Sequence, residues 1–159
     1  MPVMIVILDN IRSAHNVGSV FRTADAVGVE KIVLCGVTPT PLDKFDRAVS
    51  DIAKVALGAE KNIPWEKAES APVAVRKLKK KGYFIIAIEQ ADNSVDYRSV
   101  KIPEGAPVAV ILGSETEGVS KSLLKLADII MEMPMVGKKE SLNVAVAFGI
   151  AAYRLAFKK

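Results

Sequence analysis

Apolar positions in this chain fall into short unbroken runs separated by amphipathic stretches. Residues 3–8, 32–35, 83–88, 108–112 and 129–133 are almost wholly apolar and rich in β-branched side chains. Such runs predict strands buried on both faces, the signature of a parallel sheet. Between them the period lengthens. Val17, Val20, Phe21, Ala24 and Val27 recur at helical spacing after a polar loop over 9–16, so a helix is expected over 17–27. Helices are also expected over 46–57, closed by Gly58, over 71–81, stopped at Gly82, and over 120–127. Ile63-Pro64-Trp65 reads as a short edge strand or a loop, and 89–96 as a polar loop. Five or six buried strands alternating with helices predict one α/β domain over residues 1–159. Its sheet is mostly parallel, with helices on both faces.

The last helix has almost no polar face. Ser141 stands where an N-cap belongs, and from Leu142 to Phe157 the segment is nearly all apolar. Over 141–157 it measures on the order of 25 Å, too long for one small sheet to cover. Ala145, Gly149, Ala152 and Ala156 form a stripe of small residues at i, i+4, i+7 and i+11. This predicts a homodimer packed through the C-terminal helix; the alternative is one buried core helix in a monomer.

Composition narrows the setting more than the chemistry. A net charge of +4 leans toward an anionic partner without requiring one. The single cysteine, Cys35, lies in an apolar run and has no intrachain partner, which fits a reducing, cytoplasmic home. No apolar run is long and charge-free enough to span a bilayer, so no membrane partner is expected.

Candidate chemistry belongs where strands run into loops. Three loops stand out. The first runs from Asn10 to Ala24; Asn16 is a candidate N-cap, Arg22 a permanent forked positive charge on a helix face, and His15 the only histidine. The second is Gly113-Ser114-Glu115-Thr116-Glu117-Gly118, whose glycines permit a tight turn and whose carboxylates make it acidic. The third is the turn over 134–143, with Lys138, Lys139, Ser141 and Asn143. No Gly-x-Gly-x-x-Gly follows the first strand, and no Gly-x-x-x-x-Gly-Lys-Ser/Thr occurs anywhere. That disfavours a nucleoside di- or triphosphate, and suits a cationic or zwitterionic nucleoside.

Taken together, Asn16-x-Gly18-x-x-x-Arg22-Thr23-Ala24, Gly113-x-Glu115-x-x-Gly118 and Pro134-Met135-x-Gly137-x-x-x-Ser141-Leu142-Asn143-Val144 resemble motifs 1, 2 and 3 of the TrmH (SpoU) branch of the SPOUT RNA methyltransferases. Their order matches, and they span nearly the whole chain. The resemblance implies methyl transfer from S-adenosyl-L-methionine to a ribose 2′-hydroxyl of tRNA or rRNA, by a homodimer with a C-terminal trefoil knot. Carried over by position, it implies Gly113, Met133 and Leu142 at the cofactor, and Asn16, Arg22, Glu115, Ser141 and Asn143 in catalysis, with no metal. The domain is expected to stand without a separate RNA-binding extension, with recognition coming from its own surface, its dimer partner or a helper protein. Arg12, Lys138, Lys139 and the basic helix residues Arg76, Lys77, Lys79, Lys80 and Lys81 are the candidate RNA-facing cations. The rival readings are a noncatalytic RNA-binding relative and a small enzyme acting on free nucleotides.

Overall fold

The computed structural model describes residues 1–157. Seven strands form one sheet: β1 (Met4–Asp9), β2 (Lys31–Cys35), β3 (Trp65–Ala68), β4 (Phe84–Ile88), β5 (Val95–Asp96), β6 (Val108–Leu112) and β7 (Ile129–Glu132). Their order is β3-β2-β1-β6-β4-β7-β5, and every pairing is parallel. The expected fold class holds.

Successive side chains of a strand point to opposite faces, and β1 splits accordingly. Met4, Val6 and Leu8 join a core with α1 (Ala14–Val27), α2 (Ser50–Ala56), α3 (Ala59–Asn62) and α6 (Val144–Ala156). Ile5 and Ile7 join a second core with α4 (Ala71–Lys80) and α5 (Lys121–Leu126). Both faces are therefore covered. β1 connects outward to β2, whereas β6, its other neighbour, connects toward β7 on the far side. At this switch point the loops after β1 and β6 come together beyond the carboxyl ends of the strands.

Several boundaries differ from expectation, each for a local reason. The helix expected over 46–57 begins only at Ser50. Upstream, the Asp43 carboxylate takes the N–H groups of Phe45 and Arg47, and Leu42 pairs with Ala48 in a small hairpin. Leu57, at φ 53°, closes α2, and Gly58 opens the single turn of α3 instead of ending the longer helix. The edge strand is β3, just beyond Ile63 and Pro64. β5, only two residues long, is too short to leave a pattern in the sequence.

Both caps at the functional loops also shift. Ser13, not Asn16, caps α1, its hydroxyl accepting from the Asn16 N–H at 3.1 Å, so Asn16 lies inside the helix. Asn143, not Ser141, caps α6, its side-chain oxygen accepting from Ala145 and Val146. The helix thus has 13 residues and spans about 20 Å. It is not enclosed: Phe148, Ala151, Ala152 and Leu155 are buried, while Val146 and Tyr153 are each 52% exposed and Phe157 60%. The small-residue stripe is divided too, with Ala152 and Ala156 in the protein's own core and Ala145 and Gly149 only partly covered.

Candidate active site

The three loops singled out in the sequence meet at this carboxyl edge of the sheet. Glu115 is the hub. Its carboxylate accepts from the Arg12 N–H at 3.1 Å, the Ser13 N–H at 3.2 Å and the Asn16 side-chain amide at 3.2 Å. Asn16 in turn accepts, through its side-chain oxygen, from the Asn143 amide at 3.0 Å. One chain of hydrogen bonds therefore joins the first, second and third loops across 127 residues of sequence. Burial alone would raise the pKa of Glu115, but the N–H groups of Glu115 itself, Arg12 and Ser13 and the Asn16 amide outweigh it. The carboxyl is held below its usual range and stays ionised.

The second loop owes its shape to its glycines. A side chain at Gly113 would place its Cβ 2.1 Å from the Gly118 carbonyl carbon, and Gly118 sits at φ 69°. The turn closes through the Gly118 N–H on the Ser114 carbonyl and the Glu117 N–H on the Ser114 hydroxyl, both at 2.9 Å. Glu89, directly after β4, clamps the far side by accepting from the Val119 N–H at 2.8 Å.

Beside this brace lies a cavity of about 520 Å³. Leu112, Met131, Met133, Leu142, Val144 and Ala147 give it apolar walls, and Gly113 and Gly118 present backbone to it. Gln90 ties the loop after β4 to the third loop by donating to the Glu140 carbonyl at 2.7 Å. The charged side chains lining the cavity are Glu89, Glu115, Glu117 and Glu132, with no lysine or arginine among them. A cationic ligand is favoured there and a phosphate repelled.

The model of the SpoU rRNA methylase family matches residues 3–153, the entire sheet and most of α6. The chain belongs to the SpoU rRNA methylase family. A Staphylococcus saprophyticus protein assigned to the TrmH family of tRNA/rRNA methyltransferases is 34% identical over 155 residues, which are 98% of this chain and 58% of that protein. The chain thus spans somewhat over half the length of such relatives. Among solved structures, an AdoMet-bound rRNA methyltransferase from Sinorhizobium meliloti superposes with a TM-score of 0.84 at 31% identity, over 96% of this chain and 55% of that one. The A. aeolicus TrmH/SpoU tRNA modifying enzyme gives 0.82 at 30% identity, over 97% of this chain and 74% of its own.

Of the residues carried over from the SpoU motifs, Gly113, Met133, Leu142, Glu115, Ser141 and Asn143 all line the cavity. Asn16 does not, but it binds two that do. Arg22 stands apart: it is exposed on α1, lines no part of the cavity and joins none of the ion pairs among the described residues. His15 and the side chain of Arg12 are exposed as well. Motif reasoning passed over Glu89 and Glu132, although each stands at the carboxyl end of a buried strand, where a ligand is to be sought.

Proposed function

We propose that this chain is the catalytic unit of an S-adenosylmethionine-dependent RNA methyltransferase that methylates a ribose 2′-hydroxyl of tRNA or rRNA. The observation that carries this reading is the cavity itself: nucleoside-sized, apolar-walled, ringed by four carboxylates and free of cations. Those residues fit a sulfonium-bearing nucleoside. The backbone at Gly113 and Gly118, which lines the cavity, would meet its polar edges, and Leu112, Met133, Leu142 and Ala147 its apolar surface. AdoMet in the Sinorhizobium meliloti relative supports the same occupant. When bound, S-adenosylmethionine supplies an electrophilic methyl group.

The chain's own residues then have distinct tasks. Asn16 and Glu115 position: their polar atoms are engaged with one another and with the backbone, so they hold the first and third loops in register. Asn143 spends its oxygen on the helix cap and its amide on Asn16. The Ser141 hydroxyl is exposed at the cavity wall and free to meet the ribose. Arg22 is a poor base, because a guanidinium pKa lies above roughly 12. Its suitable task is to bind a phosphate beside the target ribose or to stabilise the forming alkoxide. Since it lies outside its own cavity, we take Arg22 to act at the cavity of a second protomer, in a homodimer packed through α6. The knotted C-terminal segment and cytoplasmic setting of the SPOUT resemblance belong to this same reading.

The test is transfer of labelled methyl from S-adenosylmethionine to total tRNA and, separately, to unmodified rRNA, followed by digestion to nucleosides. A 2′-O-methylnucleoside from one pool is the expected result. S-adenosylmethionine failing to bind would favour a noncatalytic RNA-binding relative.

A further inference from the structure

The basic end of α4 is the obvious RNA-facing candidate, and topology moves it away from the site. α4 starts after the carboxyl end of β3 and finishes just before β4 begins. Its ten residues cover about 15 Å, so Lys80 and Lys81 lie at the sheet edge opposite the cavity. Lys79 is also engaged, donating to the Leu126 carbonyl at 2.8 Å and pairing with Asp128.

The 42–48 hairpin is placed differently. It leaves β2 at the carboxyl end, on the edge where the cavity opens. Its stem is tied to the first loop of the site: Val37 donates to the Asn10 side chain at 3.0 Å, and the Ile11 N–H donates to the Thr38 hydroxyl at 3.1 Å. Lys67 adds a clamp on the Thr38 carbonyl at 2.7 Å. The hairpin itself is held by Asp43, whose carboxylate takes the Phe45 and Arg47 N–H groups and the Arg47 side chain, and by the Asp43 N–H on the Arg47 carbonyl. All this ordering presents Phe45 to solvent, 64% exposed, with Lys44 Nζ 5.1 Å and Arg47 Cζ 4.9 Å from the ring centroid. An apolar ring fixed at the tip of a braced turn between two cations has the chemistry of a base-stacking platform with phosphate contacts on either side.

We propose that this hairpin is an RNA-docking element: Phe45 stacks on an unpaired base, while Lys44 and the terminal guanidinium N–H groups of Arg47, whose side chain gives only its Nε to Asp43, hold the adjoining phosphates. The proposal rests on the methyltransferase reading, because it supplies a grip on the substrate at the edge where the cavity opens. The side chains contribute separately. Stacking is indifferent to base identity, since every base has a π-face, so the hairpin gives affinity and register more than sequence choice. The cations give a salt-dependent component.

The full chain and its Phe45→Ala, Phe45→Tyr and Lys44→Gln variants are titrated into a fluorescein-labelled oligoadenylate single strand by fluorescence anisotropy at several salt concentrations. S-adenosylmethionine binding is measured by calorimetry and mass by light scattering. Phe45→Ala is expected to weaken RNA binding ~10-fold, while Phe45→Tyr stays near wild type. Lys44→Gln should lower the slope of log affinity against log salt by about 0.7. S-adenosylmethionine affinity and mass should not move in any variant. Equal RNA affinity of wild type and Phe45→Ala overturns the proposal. So does a wild-type protein that binds S-adenosylmethionine but not the oligonucleotide, and both leave the methyltransferase reading standing. A lower mass in Phe45→Ala with unchanged RNA affinity overturns it in favour of a protein interface. Loss of S-adenosylmethionine binding by the wild type instead removes the reading underneath, whatever the RNA result.

Discussion

Asn143 carries two loads through different atoms, and substitution can separate them. Its oxygen caps α6, while its amide reaches Asn16. Asn143→Ala removes both and is expected to cost about 1–2 kcal/mol of stability in urea denaturation. Asn143→Ser keeps a capping oxygen but not the reach, so it should recover most of the stability and little of the methyl transfer. Equal recovery of both would reduce Asn143 to a cap. Glu115 is tested by pH. Its folded pKa lies below the ordinary 4.5, so the unfolded chain binds the proton more readily. The stabilisation is therefore fully present above 4.5 and disappears as pH falls through the folded value. Glu115→Gln leaves the Arg12, Ser13 and Asn16 donors with a single acceptor oxygen. It should cost about 1 kcal/mol at neutral pH once its solvent exposure is discounted, and that gap should narrow on acidification. Cys35 makes the opposite case. Burial and then nearby Asp9 push its thiol up to about 12, so iodoacetamide at pH 8 should label it only after urea unfolds the chain.

The strands were legible in the sequence because a strand buried on both faces leaves an unbroken apolar run, and β1, β2, β4, β6 and β7 all do. The elements that escaped notice are set by side chains reaching across the fold. Ser141 and Asn143 are both good caps two residues apart; the Asn16 amide oxygen, 127 residues away, favours Asn143. Asn16 has cap chemistry, but Ser13 already supplies the cap and frees it for the brace. Residues 46–49 have helix-compatible composition, yet Asp46 takes a left-handed φ of 57° and Ala48 pairs with Leu42, a backbone path that a helix cannot follow. The Gly113–Gly118 turn was the opposite case, visible as two glycines five residues apart, although their reason was not. A Cβ at Gly113 meets backbone atoms of Gly118 and Val119 at 2.1–2.3 Å, and backbone cannot rotate out of the way as a side chain can. Gly113→Ala is thus expected to lower stability by about 1–3 kcal/mol and to abolish S-adenosylmethionine binding measured by calorimetry. Wild-type affinity in that variant would show that the turn does not shape the cavity.

Two features of the molecule as a whole would be accounted for together by the homodimer proposed above. α6 presents Val146, Tyr153 and Phe157 to solvent on a helix whose other side is core, and Arg22 sits on α1, the helix packed beside it, away from its own cavity. A second copy placed on α6 would cover the first and give the second a cavity to serve. Mutational complementation separates this from a self-sufficient monomer. Arg22→Ala and Asn143→Ala variants, each expected to lose methyl transfer when assayed alone, are unfolded together, refolded as a mixture and assayed. If each site takes Arg22 from one protomer and Asn143 from the other, a mixed dimer contains one doubly damaged site and one intact site. Half the dimers being mixed, activity should return to roughly a quarter of wild type. If both residues serve the cavity of their own protomer, every site in the mixture carries one lesion and no activity returns. Introducing Tyr153→Asp into both variants tests the surface directly: a charge buried against α6 of the partner should abolish the recovery and halve the mass by light scattering. Recovery that persists, with the mass unchanged, in the Tyr153→Asp variants would place the shared interface elsewhere than α6.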